Sequence, residues 1–308
     1  MSRTRVYILG IILLLLALLP VQASGRYTIH QQGFQVELAE GNLALTANSF
    51  SWTFETDNTP LGSADVLGGA PANTIDLFGW SGSMYRYWGV SAMPGATVYQ
   101  GDFIDWGTNS ISGSEPGEWC TLTADEWAYI LNSRYNAAQL RGYATIDGQY
   151  GLVLLRDSSD LTIQPSYTAS EWAAVVADGA VFLPIAGERD GGLNVDMTQG
   201  LYWTATPDGA DNAKCLVLGS EAPAIASKFR AKGAAVRLAK RVLLTVLVEP
   251  TDCEEFDHWS DDPNNTDNPR TVTYGETDIV PIMRNKKFTI IGAVNDASGG
   301  SVTVTIQQ

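Results

Sequence analysis

Hydrophobic and polar residues roughly alternate over residues 35–45 and again over residues 49–54. This alternation is typical of a strand with one face in a core and the other in solvent, so both stretches predict short strands of a partly solvated sheet. Further apolar runs that predict strands lie at residues 151–155, 180–184, 200–205 and 214–218. The pattern favours a protein built mostly from short strands.

One stretch has the pattern of a capped helix instead. Thr123 precedes an amphipathic run, and Glu126 follows three positions later, which is the capping-box pattern of a helix start. Trp127, Ile130 and Leu131 would then share one face of the helix. The sequence therefore predicts a short amphipathic helix after Thr123.

A second helix follows the same pattern. Either Thr168 or Ser170 caps it, and Glu171 lies in its first turn. Its inward face would contain Trp172, Val175 and Val176. Two short helices among many short strands and long loops predict an α+β fold rather than a doubly wound α/β fold.

Aromatic residues set among glycines follow a predicted loop at residues 58–73. They indicate a long, ordered segment without regular structure, and they are Phe78, Trp80, Tyr85, Tyr87 and Trp88. Packing in a core is the commoner use of such clusters, and sugar binding is the alternative. On that alternative, the candidate binding residues are Trp80, Trp88 and Trp106.

The amino terminus has the pattern of a secretory signal peptide. Arginines precede a nearly unbroken apolar run at residues 8–19, which Pro20 ends. The small residues up to Ala23 fit cleavage after that position. The apolar run is shorter than the roughly 20 residues that a membrane-spanning helix needs. We expect residues 1–23 to be removed, the rest to be secreted or held at the cell surface, and no membrane span to remain after cleavage.

Composition and charge narrow the class of partner. Hydrophobic residues make up 45% of the 308-residue chain, which is ample material for a packed core. A formal net charge of -15 argues against nucleic-acid binding, because phosphate backbones are bound by clustered Lys and Arg. The basic stretch at residues 228–241 predicts a solvated segment.

The character of the sequence changes towards the carboxyl end. A β-branched strand pattern at residues 242–248 is followed by further strand and acidic-loop patterns without a helix signal. We therefore predict an α+β domain at residues 24–240 and a small all-β module at residues 241–308. Similar strand patterns at 243–248 and 287–292 indicate one short unit plus the start of a second.

Cys120, Cys215 and Cys253 lie far apart in a chain bound for a compartment that permits disulfides. They allow one internal bridge at most. Pairing of Cys120 with Cys215 is favoured, since both lie in strand-like segments of the first predicted domain. His30 and His258 stand alone and no CxxC occurs, so neither a metal site nor a cofactor is expected.

Several ordered motifs carry a family resemblance: WCTLTADEW at 119–127, GLYWTAT at 200–206, GAAVRL at 233–238, IDLFGW at 75–80 and DWG at 105–107. Over about residues 33–241 they resemble the hallmarks of the Fibrobacter-type major paralogous domains, whose relatives in gut bacteria are large surface-protein families. That group is similar to the C-type-lectin-like fold, which formylglycine-generating enzymes also use. The resemblance implies a C-type-lectin-like domain with two short helices, many short strands and long loops.

The carboxyl-terminal segment carries a second resemblance. FDHWSD at 256–261 and NPRTVT at 268–273 resemble the internalin-type B repeats, also called Listeria-Bacteroides repeats, which are small β modules of exported proteins. The stretch at 248–255 lacks the glycine-rich hairpin that this family carries. Trp259 is the expected core anchor, because so small a module needs one large apolar group to bury.

No catalytic residue is predicted. The formylglycine-generating enzymes, as the resemblance implies, use a close cysteine pair near the carboxyl end of the lectin-like domain, where only Cys215 lies here. Four acidic residues lie close together in the sequence near several aromatic residues: Asp102, Asp105, Glu115 and Glu118. Such a group could serve glycoside hydrolysis, but solvated acids on a loop are the better explanation. DDPNN at 261–265 favours a turn over a calcium site.

The expected function is non-enzymatic recognition or adhesion by a bacterial secreted or cell-surface protein. Its C-type-lectin-like domain would present a binding surface to an extracellular protein or glycan, and the β module would act as a spacer. The alternative is an exported enzyme on a C-type-lectin-like scaffold. A cleft with converging acids would favour the enzyme, and an open aromatic or polar face would favour binding.

Overall fold

A computed structural model describes residues 25–46, 49–55, 74–81, 102–190, 195–242, 244–246, 254–272 and 281–285. Within these residues the fold is α+β, with mostly strands in several small sheets, two short helices and a 3-10 helix at Trp106–Thr108. The predicted fold class is confirmed at this level. Neither described helix is long and apolar enough to cross a membrane.

The helices are α1 (Ala124–Asn132) and α2 (Ala169–Ala177). The strands up to the second helix are β1 (Arg26–Thr28), β2 (Gln35–Leu38), β3 (Leu43–Thr46), β4 (Ser51–Phe54), β5 (Thr74–Ile75), β6 (Cys120–Thr121), β7 (Arg141–Ile146), β8 (Gln149–Leu154) and β9 (Ser166–Tyr167). Those that follow are β10 (Val181–Pro184), β11 (Glu188–Arg189), β12 (Val195–Asp196), β13 (Gly200–Asp208), β14 (Asn212–Leu218), β15 (Ala224–Phe229), β16 (Leu238–Arg241), β17 (Leu244–Val246), β18 (Glu254–Trp259), β19 (Arg270–Val272) and β20 (Pro281–Asn285).

Both helices begin where the capping pattern predicts. The hydroxyl of Thr123 accepts a hydrogen bond from the amide of Glu126, whose carboxylate accepts one from the amide of Thr123. Thr168 and Glu171 form the same reciprocal pair, so Thr168 rather than Ser170 is the cap. Buried on the inner faces of the two helices are Trp127, Ile130, Leu131 and Trp172.

The first sheet joins strands from distant parts of the chain in the order β1-β2-β16-β6. In β16, Ala239 pairs with Leu38 of β2 on one side and with Cys120 of β6 on the other. Arg241 also pairs with β2, opposite Val36, so the boundary predicted after residue 240 falls inside β16.

The alternating stretch at residues 35–45 forms two strands in different sheets rather than one strand. β2 belongs to the first sheet, whereas β3 pairs with β4 and β5. The chain between them passes so close to the carbonyl oxygen of Glu55 that a Cβ at Gly41 would lie 1.9 Å from it. Hydrophobic alternation cannot show such a change of sheet, because both strands keep the same period.

Three further sheets complete the described amino-terminal part, in the orders β10-β8-β7-β9, β13-β14-β15 and β11-β12. β7 and β8 form a hairpin whose two-residue turn is Asp147-Gly148, with φ values of 47° and 85°. Left-handed conformations at both turn residues match the twist of paired strands, and Asp-Gly is a favoured sequence for them. The hairpin therefore holds β7 and β8 in a fixed register.

Two arginines of the basic stretch at residues 228–241 are buried, so its prediction as a solvated segment is wrong for them. Arg237 is 1% exposed and donates to the carbonyl oxygens of Ala39 and Phe182 and to the side-chain oxygen of Asn42. Arg230 donates to backbone carbonyls at residues 209 and 212. These buried guanidinium groups are therefore hydrogen-bonded to backbone carbonyls and to the Asn42 side chain rather than solvated.

The carboxyl-terminal strands pair among themselves, β17 with β19 and β18 with β20. Trp259 is 1% exposed, packs 5.1 Å from the ring of Phe256 and donates to the carbonyl of Asp267. Its predicted role as a core anchor is confirmed. The turn predicted at 261–265 is confirmed too, since the amide of Asn265 donates to the carbonyl of Asp262. Residues 287–292 lie outside the described residues.

Candidate functional site

Trp80 and Trp106 are buried, so the prediction that they bind a ligand is wrong. They are 2% and 0% exposed. The indole of Trp80 donates to the carbonyl of Thr204 at 2.7 Å, and its ring lies 4.2 Å from the guanidinium carbon of Arg230. Both rings fill a core cluster between sheets, which is the commoner use of aromatic groups. Trp88 lies outside the described residues.

Two of the loop acids near these rings are engaged by other groups of the protein. The carboxylate of Asp105 accepts hydrogen bonds from the amides of Gly107 and Thr121 and from the Thr121 hydroxyl. Glu118 forms an ion pair with Lys240, and this ammonium lowers the pKa of the carboxyl group. Asp105 therefore holds the loop in place, and Glu118 is neutralised at the surface.

Cys120 and Cys215 are free thiols, so the predicted bridge between them is not formed. Cys120 lies in β6 of the first sheet, and its thiol donates to the carbonyl of Ala239 at 3.4 Å. Cys215 lies in β14, inside the sheet β13-β14-β15, and is fully buried. Their strands pair with different neighbours, which sequence spacing alone did not reveal. Cys253 lies outside the described residues.

Both thiols should react slowly in the native protein. Burial raises the pKa of Cys120 to about 11 and that of Cys215 to about 12, so the reactive thiolate is scarce at pH 8. In a Cys253→Ser variant, iodoacetamide should add two groups after unfolding without a reductant, as measured by intact mass. Gain of the two groups only after reduction would show that a bridge exists.

The sheet β10-β8-β7-β9 carries a stack of two tyrosines. In the β7–β8 hairpin, Thr145 lies opposite Tyr150 and Tyr143 lies opposite Leu152. Tyr143 and Tyr150 are therefore diagonal neighbours on one face of the sheet. Their ring centroids are 5.4 Å apart and their planes are inclined by 18°. Tyr150 is 46% exposed, so one ring of the stack is available to a ligand.

Cleft A lies on one side of the stack and has a volume of about 500 Å³. Its lining consists of Gln139, Arg141, Gly142, Tyr143, Leu161, Thr162, Ile163, Gln164 and Pro165. Ile163 packs over Gly142, where a Cβ would meet its side chain at 3.3 Å, so the loop at 161–165 lies close against β7. The cleft thus combines amide, hydroxyl and guanidinium groups with apolar walls.

Cleft B lies on the other side of the stack and also has a volume of about 500 Å³. It is lined by Gln149, Tyr150, Ile185, Met197, Thr198, Gly219 and Ser220. The hydroxyl of Tyr143 accepts a hydrogen bond from the amide of Gly219 at 3.1 Å. This bond joins a residue that lines cleft A to a residue that lines cleft B. Thr198 donates through its amide and hydroxyl to Asp196, which lowers the pKa of that carboxyl group.

The electrostatics of cleft A are set by two neighbouring arginines. Arg134 donates to the carbonyl of Leu140, next to Arg141, and forms an ion pair with Asp157 at 3.1 Å. Burial lowers the pKa of Arg134, Asp157 opposes this effect, and the positive charge of Arg141 adds to it. Burial raises the pKa of Tyr143. Tyr143 therefore stays neutral beside the positive charge of Arg141.

Sequence reasoning missed this surface, although a signal for it is present. The Asp147-Gly148 pair between two alternating runs is a strong short-range hairpin signal. A two-residue turn fixes the register, and the register places Tyr143 and Tyr150 on one face. The hairpin could thus have been predicted, whereas the loop at 161–165 that closes cleft A could not.

Comparison of the chain with protein-family models, with curated proteins and with solved structures finds no match in any of the three. The family resemblances carried by its motifs therefore stay predictions.

Proposed function

We propose that this chain is a non-enzymatic, exported recognition protein that binds a glycan through clefts A and B. The observation that carries the proposal is the stack of Tyr143 on Tyr150 between two open clefts. The resemblance of its motifs to exported surface-protein families supports the same assignment. On this proposal the domain is C-type-lectin-like, and the carboxyl-terminal β module is a spacer.

The chemistry of the two linings suits sugars. A pyranose ring has an apolar face that packs on an aromatic ring, and its hydroxyls exchange hydrogen bonds with amide, hydroxyl and guanidinium groups. Tyr143 and Tyr150 supply the rings, and Gln139, Gln164 and Gln149 supply amides. Two adjoining clefts have room for more than one sugar residue.

The enzyme alternative has less support from these clefts. Glycoside hydrolysis requires two carboxyl groups that flank the scissile bond. The residues that line clefts A and B include no Asp or Glu. Asp196 and Glu221 each lie next in sequence to a residue that lines cleft B, and the carboxylate of Asp196 accepts hydrogen bonds from Thr198. The linings therefore favour binding over hydrolysis.

Tyr150→Ala is expected to weaken glycan binding at least tenfold, because it removes the exposed ring of the stack. An affinity change of this size corresponds to about 1.4 kcal/mol, which is in the range of one aromatic contact. A glycan array identifies an oligosaccharide that the full chain binds, and calorimetry then compares the variants. The free energy of unfolding should fall by no more than about 1.5 kcal/mol, since only the ring–ring contact is lost.

Tyr135→Ala is the matched control, because Tyr135 is 85% exposed and lines neither cleft. It should bind the same oligosaccharide as tightly as the unchanged chain. Equal affinity of the Tyr150 variant and the control would contradict the assignment of the site. No binding on the array, together with turnover of a polymeric sugar, would overturn the proposed function.

A further inference from the structure

We propose that cleft A is an anion subsite, in which Arg141 binds the carboxylate or sulfate group of an acidic sugar. The inference rests on the proposed function and narrows it from glycans in general to glycans that carry negative charge. The inference is drawn from which of the arginines near the cleft form ion pairs with carboxylates and which do not.

Arg141 lines cleft A, and none of the described residues is a partner for its charge. Its Nη1 atom is shielded from solvent and has no hydrogen-bond partner in the structure, and it joins no ion pair among the described residues. Two other arginines nearby do form ion pairs, Arg134 with Asp157 and Arg156 with Asp178. A guanidinium that is partly removed from water gains stability from an anion, which the described protein does not provide.

The local charge balance also favours an anion. Two guanidinium groups, of Arg134 and Arg141, act on each other here, and only Asp157 is paired with either. The lining of cleft A contains no carboxylate. This lining without a carboxylate contrasts with the formal net charge of -15 for the whole chain.

The geometry of β7 places the charge beside the aromatic stack. Arg141 and Tyr143 are two residues apart on one strand, so their side chains leave the same face, ~7 Å apart along the strand. A sugar that packs on the tyrosine stack can therefore direct a carboxylate or sulfate towards the guanidinium. Arginine matches such groups well, because its parallel N–H donors bind two oxygens at once.

The test follows the side-chain Nε–Hε NMR signals of the arginines in the full chain during titration with three probes. The probes are methyl β-glucuronide, the neutral methyl β-glucoside and inorganic sulfate. The glucuronide and sulfate should each shift the Arg141 signal saturably, and the glucoside should leave it unchanged. Arg141→Gln, which keeps hydrogen-bonding groups but removes the charge, should weaken glucuronide binding at least tenfold.

Arg26→Gln is the matched control, because Arg26 is exposed and lines neither cleft. It should leave glucuronide binding unchanged. Equal glucuronide affinity in the Arg141 variant and the control, or no shift of the Arg141 signal, would overturn the anion subsite. If neutral glycans still bind through Tyr150 in that case, the proposed function stands. Saturable binding of sulfate at Arg141 without binding of any sugar would support the anion subsite and overturn the glycan proposal.

Discussion

Replacing Arg237 with methionine is expected to lower the free energy of unfolding by roughly 3 to 5 kcal/mol. The guanidinium donates to the carbonyls of Ala39 and Phe182 and to Asn42, at 2.7 to 2.8 Å. Methionine has a similar length but no donor, so three buried acceptors lose their partner. Burial lowers the pKa of Arg237, which shows that the charge itself is disfavoured there. The loss therefore comes from the stranded acceptors.

Guanidinium chloride denaturation of the two proteins measures this loss. Arg26→Met is the control, since Arg26 is an exposed residue of the same sheet region, and its free energy of unfolding should change by less than about 0.5 kcal/mol. A loss below about 1 kcal/mol for the Arg237 variant would show that the three acceptors find other donors or water.

Gly107→Ala is expected to destabilise the protein by at least about 3 kcal/mol. A Cβ at Gly107 would lie 1.8 Å from the carbonyl oxygen of Trp119 and 2.5 Å from its carbon. These are backbone atoms next to β6, so the clash cannot be relieved by rotating a side chain. Separation of the two segments would also strain the hydrogen bonds by which Asp105 holds Thr121.

Gly113→Ala tests whether this loss reflects close approach rather than the removal of any glycine from the loop. Gly113 has a φ of 82°, but a Cβ there would meet no atom within 4 Å. It should cost about 1 to 2 kcal/mol, the strain of one left-handed residue. Thermal and chemical unfolding compare the two variants. Equal losses would contradict the steric argument for Gly107.

The local features of the fold could be predicted from the sequence. The capping boxes of Thr123 with Glu126 and of Thr168 with Glu171 are formed by groups three residues apart, so nothing distant decides them. Trp259 could be predicted as buried because a small module has few other groups to fill its core.

The features that depend on distant partners could not be predicted in this way. The local sequence around Trp80 and Trp106, aromatic residues near glycines, is compatible with both an exposed and a buried position. Their burial depends on strands more than 90 residues away in the chain, such as β13 and β14. Cys120 and Cys215 both lie in strands, but which sheet each strand joins is a property of the whole fold. Cleft A likewise needs the loop at 161–165 against β7.

The order of strands in the first sheet decides how the amino-terminal part carries mechanical tension. Arg26 of β1 and Lys240 of β16 both pair with Glu37 of β2, so the three strands are neighbours and β1 and β16 are ~10 Å apart. Tension that enters through β1 and leaves through β16 runs across the hydrogen bonds of this one sheet. No residue that lines clefts A and B belongs to it. Tension between β1 and β16 therefore need not pass through the residues that line clefts A and B.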